Sequence, residues 1–210
     1  MRVAEIWRYP VKSMAGEPLT EALLTPGGIP GDRVVQVAMD GRVITSRTHP
    51  RLLAFKARLG PDGEPLVDGR PWDEPDVAAA VSAAVGPAVR LVRDEGPERF
   101  DMLPLLVATD GAIRALGHDR RRLRPNLVIE GVEGLAERGW PGRGLRIGQA
   151  VIGLRKLRSR CVMTTFDPDT LEQDLSVLRR IAREFGGRMA LDSDVVEGGL
   201  IRVGDPVELI

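Results

Sequence analysis

Strand-like segments recur from one end of the chain to the other, each closed by a turn. The clearest is VVQVAMDGRVITS (residues 34–46), two β-branched runs around Asp40-Gly41. A two-residue Asp-Gly loop tolerates left-handed backbone at both positions, which suits a tight hairpin. RVAEIWRYPV (2–11) predicts a first strand ending at Pro10, and FKARLGPDGEPLV (55–67) another strand–turn–strand. NLVIEG, LRIGQAVIGLRKL, LIRV and DPVELI repeat the signal in the second half. The 24 glycines and 16 prolines supply turns for many short strands. The expectation is a mainly β chain of β-barrel architecture with a few helices, α+β overall.

Three segments break the pattern. DEPDVAAAVSAAVG (73–86) is alanine-rich, with Pro75 near its start and Gly86 after its end, which predicts a helix. LLVATDGAIRALGH (105–118) predicts a short one, capped by Thr109 or Asp110 and stopped by Gly117. From Thr170, TLEQDLSVLRRIAREFGG places Leu171, Leu175, Leu178, Ile181 and Phe185 on one face and ends at Gly186-Gly187. GPAVRLVRDEGPER (86–99) is polar and turn-rich. It predicts a boundary between a β-barrel-like unit over 1–95 and a second β-barrel unit over 96–210.

Composition limits the functions. Lys+Arg and Asp+Glu both number 30, so the net charge is zero, which argues against general attraction to nucleic acid or a membrane surface. Aromatic residues are 4%, too few for a base-stacking platform. The first residues, MRVAEIWRYPVKSMAGE, hold no continuous apolar run. A cytoplasmic protein without a leader or membrane span is therefore expected. A single cysteine, Cys161, permits no intrachain disulfide and no iron–sulfur cluster held by this chain alone. His49 and His118 have no zinc-ligand spacing. Redox chemistry here would take its electrons from outside the chain.

Four stretches carry candidate chemistry. RSRCVMTTFDPDT (158–170) sets Cys161 after Arg158 and Arg160, whose charge favours a thiolate. A lone cysteine is more often a buried apolar residue. Here, though, a polar run and an Asp-Pro turn follow it. YPVKS (9–13) puts Lys12 and Ser13 on a loop able to grip an anion, although an exposed lysine is the commoner outcome. GGIPGDR (27–33) turns tightly into Arg33 but lacks the ending of a phosphate-binding P-loop. RRRLRPNLVIEG (120–131) would ordinarily be a solvated turn. Yet Pro125 fixes Arg124 and Asn126 at the head of an apolar strand. There they offer bidentate anion recognition and a donor–acceptor amide.

Together these stretches resemble the MOSC family, named after the C-terminal part of molybdenum-cofactor sulfurase. The family includes the mitochondrial amidoxime-reducing component and bacterial relatives. IWRYPVKSMAGEPLTEALLTPGGIPGDRVVQV and ITSRTHPRLLAF are similar to the family's N-terminal β-barrel domain. LRPNLVIEG, RSRCVMTTFDPDT and GGLIRVGDPVEL are similar to the MOSC domain proper. The resemblance implies a molybdenum cofactor, molybdenum on a pyranopterin dithiolene, with Cys161 as the protein's thiolate ligand. It implies cofactor contacts from Lys12, Ser13, Arg33, Thr109, Arg124, Asn126, Ser159 and Arg160. Asp167 is placed with Cys161 in the catalytic set, either ordering the loop behind it or lying near substrate. Pyridoxal phosphate binding attaches to the resemblance only at the level of the family.

The implied activity is an oxidoreductase that removes oxygen from N-oxygenated small molecules, re-reduced by an external ferredoxin, flavoprotein or cytochrome. The alternatives are a sulfur carrier with a persulfide on Cys161 and a non-catalytic cofactor-binding module. Two features depart from the family pattern. The stretch between the halves is shorter than in the amidoxime-reducing relatives. Arg158 stands where many relatives carry a second cysteine.

Overall fold

A computed structural model describes residues 1–210. The first strand, β1 (Arg2–Arg8), stops two residues short of Pro10, and β2 (Glu17–Leu19) pairs back on it. β3 (Glu21–Leu24) follows at once. β4 (Val35–Met39) and β5 (Arg42–Ile44) form the expected hairpin, with Asp40 and Gly41 both at positive φ. β6 (Ala57–Leu59), β7 (Pro65–Val67) and β8 (Arg70–Pro71) make a small meander. Helix α1 (Pro75–Val85) precedes β9 (Val89–Arg93), which pairs with β4. β9 lies inside the stretch expected to be a boundary.

The second half opens with β10 (Leu105–Thr109), α2 (Asp110–Leu116) and β11 (Leu127–Glu130). Their strands run parallel, as a helical crossover requires. β12 (Gly144–Ile147) and β13 (Ala150–Ser159) form a hairpin. Helix α3 (Leu175–Phe185) leads to β14 (Arg188–Glu197), β15 (Gly199–Arg202) and β16 (Glu208–Leu209).

Eight strands share one sheet in the order β16-β12-β13-β14-β10-β11-β1-β2. Its ends approach each other, because Val3 N donates to Asp205 O (3.0 Å) and Val207 N donates to Met1 O (2.9 Å). Closure of this kind leaves few open strand edges. The largest core fills the inside, from Ile6, Leu105, Val107, Ile129, Leu145 and Ile152 among others. Strand alternation on β10 builds two cores at once. Leu105 and Val107 face inward, while Leu106 and Ala108 pack under α2 and α3 with Leu116, Ile181 and Phe185. The mainly β expectation with few helices is borne out. No helix is long and apolar enough to cross a membrane.

Two local expectations are corrected. α3 starts at Leu175, not Thr170, because Asp174 caps it by accepting from Ser176 N (2.8 Å). Leu171 stands outside at φ 60°, Leu175 is exposed, and the buried face is Val177, Ile181 and Phe185. Chain order and spatial order also differ. β1, β2 and β3 come from the first 95 residues, yet β1 pairs with β11 as well as β2, and β3 pairs with β15. The separate lobe is built from β4–β9 and α1, around Val35, Val37, Leu52, Val77 and Val81. A cleft lies where it meets the barrel.

Candidate functional site

Loops from both lobes supply the cleft. Lys12, Ser13 and Arg33 come from the first-lobe side. Arg124 and Asn126 come from the head of β11, and Arg158, Ser159, Arg160 and Cys161 from the end of β13. Eight of the ten sequence-predicted site residues thus line one cavity of about 100 Å³.

Cys161 ends the β13 extension and caps a short 3-10 turn over Val162–Thr165. Its carbonyl accepts from Thr164 N (3.1 Å) and from Thr164 Oγ1 (2.9 Å). The thiol side chain is partly exposed toward the cleft. Behind it, Arg122 donates to Asp167 (2.9 Å), and Asp167 accepts from Asp169 N and Thr170 N. These backbone bonds, followed by the Arg122 charge, hold the Asp167 carboxyl below its ordinary range. Asp167 therefore braces the cysteine loop from outside the cleft. Thr109 also lies outside it. Its hydroxyl caps α2 through Ala112 N (3.2 Å) and donates to the buried Glu137 (2.7 Å).

The cleft holds its backbone in unusual conformations. Ser13, Arg33 and Arg124 all have left-handed φ, at 73°, 57° and 55°. Non-glycine residues accept this cost where surrounding contacts force it. Ser13 Oγ accepts from Ser46 N (3.0 Å). Arg124 and Arg33 lie over the ring of Tyr9, at 4.3 and 5.0 Å from its centroid. Tyr9 donates to Pro125 O (3.0 Å), and burial pushes its hydroxyl up to about 12. A side chain at Gly16 would strike Arg8 O and the Tyr9 ring at 2.3 and 2.5 Å, so only glycine lets this ring sit there.

The amide of Asn126 is fully used by the protein. Its oxygen accepts from Leu106 N (3.2 Å) and Arg33 (3.4 Å), and its nitrogen donates to Trp7 O and Asp32 (both 3.2 Å). It acts as a brace for Arg33 rather than as a free donor–acceptor edge. Arg33 pairs with the fully buried Asp32, which also accepts from Tyr9 N (2.7 Å).

The charges divide into two groups. Lys12 pairs with Asp101 (3.1 Å), which Arg47 also reaches (2.8 Å). Burial alone raises the Asp101 carboxyl, but Lys12, Arg47 and Arg158 outweigh it and hold it low. Arg158 pairs with Asp192 (2.7 Å), so its charge goes to that carboxylate before Cys161. Asp192 is nearly inaccessible, burial raises its pKa, and its Oδ2 has no partner. Arg124 and Arg160 have no acidic partner. Burial pulls both down to about 10, which still leaves them charged at neutral pH. Arg160 gives one bond to Leu123 O (2.8 Å), and its buried Nε has none. An orphaned, desolvated guanidinium on a cleft wall is suited to an anion.

Tyr9, Asp32, Asp101, Arg122 and Asp192 escaped the sequence reading. Each matters through a partner far away in the chain, so no local motif signals it. No group of three or more His, Cys, Asp and Glu converges to hold a metal. A metal on Cys161 would thus take one protein ligand and bring its others with it.

The cleft sets the one cysteine of the chain beside Arg160, in a cavity that Arg124 also lines, and neither arginine has an acidic partner. The chain belongs to the MOSC family. Residues 1–96 match the MOSC N-terminal beta barrel domain and residues 109–208 the MOSC domain. It is 26% identical to the human mitochondrial amidoxime-reducing component 1 over 282 aligned positions, covering 99% of this chain and 82% of that protein. Over 68 residues, 32% of this chain, it is 41% identical to a molybdenum cofactor sulfurase from Anopheles gambiae, of which this is 9%. A crystal structure of the YuaD protein from Bacillus subtilis shares the fold, with a TM-score of 0.51 at 13% identity. It covers 99% of this chain and 94% of that one. Family and relatives associate the chain with the molybdenum cofactor at the family level.

Proposed function

We propose that the chain binds a molybdenum cofactor in this cleft and reduces N-oxygenated small molecules. The observation that carries the reading is Cys161, partly exposed beside a guanidinium whose buried Nε has no partner. A soft thiolate suits a metal already held by sulfur. Arg160 offsets the anionic charge gathered around that thiolate. Lys12, Arg33 and Arg124 supply the cationic wall that a phosphate group needs. Ser13 and Asn126 hold that wall in place through Ser46 and Arg33. Ser159 adds a hydroxyl beside the thiolate. Asp167 and Arg122 keep the cysteine loop fixed from behind.

Held by Cys161 and the cationic wall, the cofactor would supply two-electron oxygen-atom-transfer chemistry to an N–O bond. The overall change consumes two electrons and two protons, converting R₂N–OH to R₂N–H and water. A single cysteine cannot hold an iron–sulfur cluster, so the proposed electron source is an external donor of ferredoxin, flavoprotein or cytochrome type. The human relative's name describes amidoxime reduction, which supports N-oxygenated molecules as the proposed substrate class.

Purified protein from a cofactor-competent host should reduce an amidoxime with chemically reduced viologen, and the Cys161→Ala variant should not. Mass spectrometry distinguishes the sulfur-carrier alternative. A persulfide on Cys161 without bound pterin would overturn the oxidoreductase reading.

A further inference from the structure

A second cavity of about 440 Å³ opens beside the first and shares Arg47, Asp101, Arg158, Ser159 and Asp192 with it. Lys156 and Arg188 line this second cavity and not the first. On the β13–β14 ladder Lys156 is registered with Asp192 and Arg188 with Ser159, so the two cations stand on the same strand pair, about 10 Å apart along it. Both therefore stand close to the strand end that carries Cys161.

The lining is unevenly charged. Arg47, Lys156, Arg158 and Arg188 face only two carboxylates, Asp101 and Asp192. The whole chain, by contrast, is neutral. Asp101 is already engaged by Lys12 and Arg47, and one oxygen of Asp192 by Arg158, which leaves the buried Asp192 Oδ2 as the one unpartnered acceptor on this wall. Lys156 and Arg188 take part in none of these pairs. A concave wall with surplus charge of one sign focuses its field on the opposite charge. A lysine offers a point charge, and an arginine a fork that fits a carboxylate or phosphate.

We propose that this groove is the substrate's way in, and that it selects N-oxygenated molecules carrying a carboxylate or phosphate. The anionic group binds between Lys156 and Arg188, and the N–O group reaches toward Cys161. The cations of the first cleft, Lys12, Arg33, Arg124 and Arg160, remain for the cofactor. This selectivity rests on the proposed reaction, and the experiment separates the two.

Molybdenum-loaded protein is assayed with benzamidoxime, its para-carboxylate and its para-trimethylammonium derivative. The carboxylate is expected to exceed the neutral compound in kcat/KM by about tenfold, with the cation poorest. Raising the salt narrows the gap. In the double variant Lys156→Glu, Arg188→Glu the order reverses, while molybdenum and pterin contents hold. Calorimetric affinity for the carboxylate compound follows the same order without any turnover. Equal kcat/KM for all three compounds overturns the selectivity and leaves the reaction standing. Turnover of none of them by loaded protein overturns the reaction, and calorimetry then decides the groove alone. Pterin loss in the double variant assigns the pair to the cofactor and also overturns the proposal.

Discussion

The cleft holds basic side chains in two opposite states. Lys12, Arg33 and Arg158 are each matched by a carboxylate, from Asp101, Asp32 and Asp192. Arg124 and Arg160 are matched by none; one lies over Tyr9, and the other leaves a buried Nε unbonded. Matching is what a buried charge needs for the fold to be stable. An unmatched pair costs stability, and in the proposed function its charge is left for the cofactor. Removing a carboxylate partner from the matched group should therefore cost stability, whereas removing a guanidinium of the unmatched pair should cost the ligand and not the fold.

The largest effect falls on the matched group. Asp32→Ala removes the partner of Arg33 and the acceptor for Tyr9 N and Asn126. Urea denaturation should show a loss of about 3–5 kcal/mol. A loss within the range of an ordinary surface substitution would remove the structural role assigned here.

Arg160→Met should move the other way. Replacing a half-buried, unpaired charge by an apolar side chain of similar length should stabilise the cofactor-free protein by up to about 1 kcal/mol. The same variant should lose pterin, read by fluorescence of the denatured protein. Destabilisation with pterin retained would erase the contrast between the two groups.

Thr109→Ala is a control away from the cleft. It removes the α2 cap and a bond to Glu137, for about 1 kcal/mol in thermal or urea unfolding, with pterin retained. Pterin loss there would extend the site beyond the cleft.

The smallest effect is a slope. Burial raises the pKa of Glu137 above its usual 4.5, against the hydrogen bonds from Thr109 and Ala190. The folded state then binds this proton more tightly than the unfolded chain. Its contribution to stability is greatest below pH 4.5 and declines as pH rises toward the raised folded value. Glu137→Gln should flatten that decline, measured as unfolding free energy against pH. An unchanged slope would assign the decline to other groups.

Local chemistry was readable before the fold was known. Asp40-Gly41 announced its hairpin, and Thr109 its cap, because both act within four residues. Lys12, Arg33 and Cys161 were visible as side chains of the right chemistry on turn-rich loops. β14 was not, although it is ten residues long, because its Asp192, Ser193 and Asp194 obscure the apolar pattern. Asp192 is tolerable there only because β13 brings Arg158 beside it. β9 was hidden in the same way, its arginines reading as a linker until β4 paired with it. Asn126 and Asp167 were recognised as special, yet their jobs depend on Asp32 and Arg122, which lie far off in sequence. Residues that act by chemical type were legible, and residues that act through distant partners were not.

The proposed function stands on Cys161 holding a metal in a cationic cofactor cleft. Molybdenum and pterin contents of freshly purified wild type and Cys161→Ser, from a cofactor-competent host, test it directly. Both are expected in the wild type, and in the variant molybdenum is lost while the arginine wall still binds pterin. Wild-type protein without molybdenum, or a variant that keeps it undiminished, would contradict the account.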